Sequence, residues 1–148
     1  MKIELKKSKK VIVKIGSSVI NNSNEEDYLS DICDELSRLA KKEKDIVLVT
    51  SGAISEGMKI LNINEKPNDI KKLQALAAVG QQKLMLSYEK IFSNNNINTA
   101  QLLITHNDIN DRVSYLNIKG TIEELLSNQI IPIINENEWV EIIKSIDV

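Results

Sequence analysis

The sequence predicts an α/β domain of three layers, αβα, built on a mainly parallel sheet. Four short apolar runs, Val11–Ile15, Ile46–Thr50, Ala100–Ile104 and Ile130–Ile134, are continuous rather than alternating, as strands buried on both faces are. Amphipathic stretches separate them and give the order β-α-β-α-α-β-α-β, which calls for crossovers of a single hand. Each run ends in a small-polar or acidic cluster: Gly16-Ser17-Ser18, Ser51-Gly52-Ala53, Thr105-His106-Asn107-Asp108 and Asn135-Glu136-Asn137-Glu138. In parallel strands those clusters share the carboxyl rim, where open α/β sheets bind ligands.

Taken in order, Val11–Ile15 is short, β-branched and stopped by Gly16. Asn21–Asn24 is turn-rich, and a helix follows from about Glu25 to Lys42. Ile32, Leu36, Leu39 and Ala40 share one face of it, with acids leading and lysines trailing, as the helix dipole favours. After the second strand, Ser51-Gly52-Ala53 turns into a short helix ending near Leu61. A loop over Asn62–Asn68, with Pro67, precedes a long helix over Asp69–Phe92. Its inner stripe is predicted to be Ile70, Leu73, Ala77, Leu84, Tyr88 and Ile91. Gly80 lies on that stripe at a cost of about 1 kcal/mol relative to alanine, which predicts close approach by another element. Asn94-Asn95-Asn96 ends the helix, and the third strand spans Asn98–Ile104. Asp111–Asn128 is helical, with Ile118, Ile122, Leu125 and Leu126 inward and Gly120 against the pattern. Pro132 lacks an N–H, so it is expected where no ladder bond is needed, such as an edge or a bulge of the fourth strand.

A chain of 148 residues fits one domain, and with only 3% aromatic residues its core must be aliphatic. A net charge of −2 argues against nucleic acid as a partner. The cluster Lys6, Lys7, Lys9 and Lys10 reads as a solvated lead-in to the first strand. Cys33 is the single cysteine, so no internal disulfide is possible, and it reads as a packing residue. There is no membrane-length apolar run and no secretory leader pattern, so the expected location is cytoplasmic.

Three clusters carry chemistry. In Lys14-Ile15-Gly16-Ser17-Ser18 a lysine near the strand end, a glycine turn and two hydroxyls form a plausible phosphate cradle, although neither the P-loop nor the dinucleotide pattern is present. The alternative is a lysine snorkelling from a strand end. Ser51-Gly52-Ala53 places a helix amino end at the rim, a site for phosphate or carboxylate, or else Ser51 simply caps the helix. Asn135-Glu136-Asn137-Glu138 can grip an amino group, or is a polar loop. His106, Asn107, Asp108, Asp111 and Arg112 read as structural or surface residues, because a lone histidine is not a metal site. Trp139 receives no role.

Together these segments resemble the amino-acid kinase family, and within it the branch that phosphorylates glutamate. The resemblance runs from residue 11 to about 138. It rests on Val13–Ser18, Val49–Ile54, Gln74–Gln81, Leu102–Thr105, Asp111–Asn117 and Ile131–Asn137. It implies an amino-acid-kinase-like fold and transfer of the ATP γ-phosphoryl group to the side-chain carboxylate of L-glutamate, the first step of proline synthesis. Lys14 matches the family lysine that contacts the phosphates, with Gly16 and Ser17 beside it. Ser51, Gly52, Ala53 and Glu138 match substrate-binding positions, the family having Asp where Glu138 stands. ATP and Mg²⁺ are the implied cofactors, with no metal ligand identified in this chain. Proline is the implied feedback inhibitor, and a homo-oligomer, or a complement with a separate carboxyl-terminal half, the implied assembly.

The family domain continues for about a hundred further residues, so the expectation is a truncated, substrate-binding lobe over 1–138 with a divergent tail over 139–148. A lobe of that kind is expected to show little kinase activity alone. The alternative is a non-catalytic fragment that binds glutamate or proline, or assembles with a partner through an exposed sheet edge. Kinases of the family acting on acetylglutamate, carbamate or uridylate fit the Asp-Arg-x-x-Tyr-Leu-Asn and Asn-Glu-Asn segments less well.

Overall fold

The structure is a computed structural model and describes residues 8–17, 25–105, 108 and 110–135. Its elements are β1 (Lys10–Ile15), α1 (Glu25–Ala40), β2 (Asp45–Thr50), α2 (Ala53–Ile60), α3 (Ile70–Asn94), β3 (Thr99–Leu102), α4 (Arg112–Ser127) and β4 (Ile131–Asn135). The strands form one sheet in the order β1-β2-β4-β3, and every pairing is parallel. Val11, Ile15, Ile46, Leu48, Ile131 and Ile133 meet Leu29, Cys33 and Leu36 of α1 and Leu84, Tyr88 and Phe92 of α3 on one face. Val47, Val49 and Ile134 meet Ile122 of α4 on the other, with Ile12, Leu102, Tyr115 and Ile118 packed around them. These are the three expected layers, and the core is aliphatic apart from Tyr88, Phe92 and the part-buried Tyr115.

The path steps in one direction from β1 through β2 to β3 with α1 and α3 on one face. It then reverses from β3 to β4 with α4 on the opposite face. Reversal of direction together with a change of face keeps one hand for all crossovers. β4 therefore lies between two strands whose outgoing connections leave to opposite sides, and a crevice opens at its carboxyl end.

Four helices end alike. Glu43, Asn62, Asn96 and Gln129 have φ between 54° and 59°, the left-handed region. After each, the next N–H returns to a carbonyl five residues back: Lys44 to Leu39, Ile63 to Met58, Ile97 to Phe92 and Ile130 to Leu125. This double closure satisfies carbonyls that a helix end would otherwise leave open. It also accounts for two of the loop asparagines, since Asn tolerates the left-handed conformation better than most residues.

Three expectations need correction. The inner stripe of α3 is Leu76, Gly80, Leu84, Tyr88 and Phe92, while Ile70 is 70% exposed. The early turns of α3 lie against α2 rather than the sheet, so the first turn has no core to face. β3 stops at Leu102, and Leu103 is 81% exposed. Pro132 sits in an interior strand and not at an edge or bulge. It is tolerated because it opposes Ala100 of β3 while the β2–β4 pairing begins only at Ile133, and the Ile131 N–H already points to the β3 side, toward the Asn98 carbonyl. The missing N–H of Pro132 thus falls on the β2 side, ahead of the ladder.

Candidate functional site

The carboxyl ends of β1 and β2 lie side by side. Lys14 pairs with Val49 and Ile15 with Thr50. The Ser51 N–H then donates to the Ile15 carbonyl at 3.1 Å, carrying the contact one residue past β2. Gly16-Ser17 and Ser51-Gly52-Ala53 therefore leave the sheet from neighbouring points of one rim. Lys14 is exposed, and because Val13 and Ile15 face α1 and α3, alternation turns it to the α4 side.

Gly52 has φ 118° and ψ 2°, a conformation that side-chain-bearing residues rarely adopt. It is the N-cap of α2, its carbonyl accepts the Glu56 N–H at 2.9 Å, and no side chain caps this helix. Helix capping by Ser51, one of the two sequence readings, is therefore not what the serine does. Among the described residues its hydroxyl takes part in no hydrogen bond. The turn brings the amino end of α2, the positive pole of its dipole, to the end of β2.

α3 holds these parts in place. A Cβ at Gly80 would lie 2.9 Å from the Ala53 carbonyl carbon, nearer still to its oxygen, and would also strike the Gly57 nitrogen. A Cβ at Gly57 would strike the Leu76 carbonyl in turn. Glycine on both sides lets the two backbones touch, which bears out the close approach expected at Gly80. Further along α3, the Tyr88 hydroxyl and Thr50 Oγ1 share a buried hydrogen bond of 2.7 Å. Burial pushes the Tyr88 phenol well above its ordinary pKa, so it stays neutral. On the same helix, Gln81 Oε1 accepts a hydrogen bond from Asn135 Nδ2 at the end of β4. One helix thus grips the end of β2, the start of α2 and the end of β4.

Sequence reasoning missed Gly57, Gln81 and the Thr50–Tyr88 pair. A signal existed for the last, because a phenol on an inner stripe needs a polar partner. Gln81 carried only its place in the Gln74–Gln81 segment, as its partner is 54 residues away in sequence.

Glu138 lies outside the described residues, as do Ser18, His106, Asn107, Glu136, Asn137, Trp139 and the tail over 139–148. Asn135, which opens the acidic-amide cluster, is described and stands at the crevice. Asp108 accepts from the Thr105 N–H at 2.7 Å and from its hydroxyl at 2.6 Å, and Asp111 caps α4 by accepting the Ser114 N–H at 2.8 Å. Those bonds hold both carboxyls below their ordinary pKa. The structural reading of these two acids stands. Cys33 is buried against the sheet with its thiol pushed up to about 12, chiefly by desolvation, in keeping with a packing role.

Among the described residues, no three His, Cys, Asp or Glu side chains cluster to hold a metal ion. Cavities of about 290, 260 and 650 Å³ occur elsewhere, and none is lined by Lys14, Gly16, Ser17, Ser51, Gly52 or Ala53. The largest of the three lies between the end of α2 and the start of α3, at Leu61, Pro67, Lys72 and Leu76. No helix of the described residues is long and apolar enough to cross a membrane.

A family model described as the amino acid kinase family matches residues 9–143. The chain is 42% identical over 143 residues to a protein of Nitrosospira multiformis named glutamate 5-kinase, covering 95% of this chain and 38% of that one. It is 43% identical over 134 residues to a Laribacter hongkongensis protein of the same name, covering 88% and 36%. The chain therefore spans little more than a third of the length of these curated relatives. Among solved structures it is similar to smu.665 from Streptococcus mutans UA159, with a TM-score of 0.54 at 20% identity over 86% of this chain and 58% of that one. It is similar also to isopentenyl phosphate kinase, with a TM-score of 0.53 at 18% identity over 86% and 57%. Likeness at those identities speaks to the fold alone.

Proposed function

Because the chain belongs to the amino acid kinase family, we propose that it forms the glutamate-binding, phosphate-facing part of a glutamate 5-kinase. The observation that carries this reading is the 42% identity, sustained over 143 residues, with a protein of that name. The rim supplies matching chemistry. Lys14, a compact cation, is placed to offset charge on a phosphoryl group, while Gly16 and Ser17 leave the same strand end. Ser51 offers an uncommitted hydroxyl beside the amino end of α2, a combination suited to a carboxylate. Asn135 begins the cluster that, with Glu138, would bind the amino group.

In the reaction a side-chain carboxylate oxygen of L-glutamate attacks the γ-phosphorus of ATP. The bond from phosphorus to the ADP oxygen breaks, and an acyl phosphate forms. Catalysis of this kind is positioning plus electrostatic stabilisation, with little covalent chemistry asked of the protein. The described residues fit the phosphate end of ATP through Lys14, Gly16 and Ser17. Mg²⁺ would arrive on the nucleotide's phosphates, as this metal commonly does. Proline as feedback inhibitor, a homo-oligomer or complementary half, and a cytoplasmic location belong to the same proposal.

Lys14 and Ser17 are exposed, and water exclusion is part of how kinases protect the transfer. This chain alone should therefore bind L-glutamate yet release little ADP. Calorimetric titration with L-glutamate, paired with a coupled ADP-release assay containing ATP and Mg²⁺, tests both halves. The expected result is saturable binding that Ser51→Ala weakens by about tenfold, a typical loss for a hydrogen bond to a charged group. Absence of saturable binding, or Ser51→Ala binding as the parent does, would overturn the reading of the site. Robust turnover by the 148-residue chain would refute the expected inactivity.

A further inference from the structure

Gln81 is the one described residue whose buried side-chain polar atom has no hydrogen-bond partner among the described residues. Its amide is half committed. Oε1 accepts from Asn135 Nδ2, which fixes the plane and leaves Nε2, a double donor, withdrawn from water with nothing to donate to. Buried donors in folded proteins are nearly always satisfied, so an orphan needs an explanation.

Its surroundings supply one. The preceding residue, Gly80, is pressed against the Ala53 carbonyl and the Gly57 nitrogen, so the backbone of α3 at this point cannot shift relative to the amino end of α2. Two turns further on, Tyr88 fixes the same helix to Thr50, the last residue of β2. The partner Asn135 ends β4, at the crevice opened by the opposed crossovers. The free N–H₂ is thus held by rigid neighbours among the three backbone ends from which the rim is made. Uncommitted donors so placed are the arrangement by which pockets fix the orientation of a ligand.

We propose that Gln81 is a ligand-binding residue of the rim, its Nε2 donating to a carboxylate oxygen of the bound acidic amino acid while Asn135 holds its carbonyl. This rests on the reading of the rim as a glutamate site and adds a contact on α3, away from the strand-end motifs. It also gives Asn135 a second task, that of aiming Gln81.

Gln81→Glu tests the assignment because it keeps an oxygen for Asn135 and replaces the donor with a second acceptor carrying negative charge. Gln81→Met, of similar volume, removes both bonds. The 148-residue chain and both variants are checked for folding by far-UV circular dichroism and titrated with L-glutamate in two-dimensional ¹H–¹⁵N NMR. The side-chain N–H₂ pair of Gln81 is identified by its disappearance in the variants. That pair is expected to move on titration in the parent, Gln81→Glu to raise the Kd at least tenfold, and Gln81→Met to raise it in a chain that still folds but is less stable for want of the Asn135 bond. A merely structural glutamine would give the stability loss alone, with an unchanged Kd and a stationary pair. Binding by the parent with a stationary Gln81 pair, or an unchanged Kd in folded Gln81→Glu, overturns this proposal and leaves the glutamate site standing. No binding by the parent overturns both.

Discussion

Alanine at Gly80 is the sharpest test of how this rim is held. A Cβ there would sit 2.9 Å from the Ala53 carbonyl carbon and closer to the adjoining oxygen and to the Gly57 nitrogen. Non-bonded carbons rest at about 3.5–4.0 Å, and the oxygen and nitrogen are nearer than that carbon, so α2 would have to withdraw by more than about 1 Å. Every offended atom is backbone, so no change of rotamer relieves the strain. Overpacking of this kind costs roughly 1–3 kcal/mol, and the upper end applies where backbone meets backbone. Alanine's helix propensity returns about 1 kcal/mol, leaving a net loss of about 2 kcal/mol. Gly120 is the internal control. It lies in α4 with nothing within 4 Å of its would-be Cβ, so alanine there keeps only the gain of about 1 kcal/mol. The two variants should differ by about 3 kcal/mol, or roughly 10 °C in melting temperature for a domain of this size. Urea unfolding followed by circular dichroism reads the difference directly. If both variants shift in the same direction, or if Gly80→Ala matches the parent within about 0.5 kcal/mol, α2 and α3 do not meet as described.

Other consequences are as concrete. Tyr88→Phe removes the 2.7 Å bond and leaves Thr50 Oγ1 only its longer donation to the Ser51 carbonyl at 3.4 Å, so it should lower unfolding free energy by about 1 kcal/mol in the same urea assay, whereas a neutral result would mean the Tyr88 bond contributes nothing. Cys33 should resist thiol reagents at neutral pH in the folded protein and react fully once urea unfolds it, because burial holds its thiol up to about 12; prompt labelling of native protein would refute that. Asp111 has a folded pKa below its unfolded value, so its contribution is present above about pH 4 and lost as pH falls through the lower folded value. Asp111→Asn, which caps without titrating, should therefore flatten the acid limb of a stability-against-pH curve, and an unaltered limb would remove Asp111 from the account. Gln129→Gly relieves a left-handed backbone at the end of α4 and should stabilise by about 1 kcal/mol, measured as a higher urea midpoint.

The strands were legible in sequence because continuous Ile and Val runs are hard to satisfy otherwise, and the adjacency of the β1 and β2 ends that carry Lys14 and Ser51 followed once both were parallel strands. Strand order was not legible, since it depends on which face each helix covers, and that is settled by contacts such as Val47 and Val49 with Ile122 across the sheet. The same gap bears on Pro132: its missing N–H does fall where no ladder bond is needed, but in the interior strand β4, the edge positions belonging to β1 and β3. Ile70 was drawn into the stripe of α3 by periodicity alone, and periodicity cannot say where the underlying surface ends. Of the site, the strand-end residues announced themselves, whereas the residues of α3 that fix them did not. Gly80 was the exception, because a glycine on a buried stripe requires a neighbour.

That exception bears on function as much as on folding. Keeping glycine at position 80 costs α3 about 1 kcal/mol of helix propensity. What the glycine secures is the placing of Ala53, and through it the amino end of α2 beside the strand end that carries Lys14. A displacement of about 1 Å among positioned groups can cost on the order of a hundredfold in rate. On the proposed reading of the rim, the same displacement would weaken its hold on an anion. Close packing of α2 on α3 is therefore best understood as a tolerance on the site. It follows that a Gly80→Ala chain still folded at low temperature should bind L-glutamate more weakly than its stability loss alone would require. If its Kd under those conditions equals that of the parent, the helix pair supports the core and has no say in the rim.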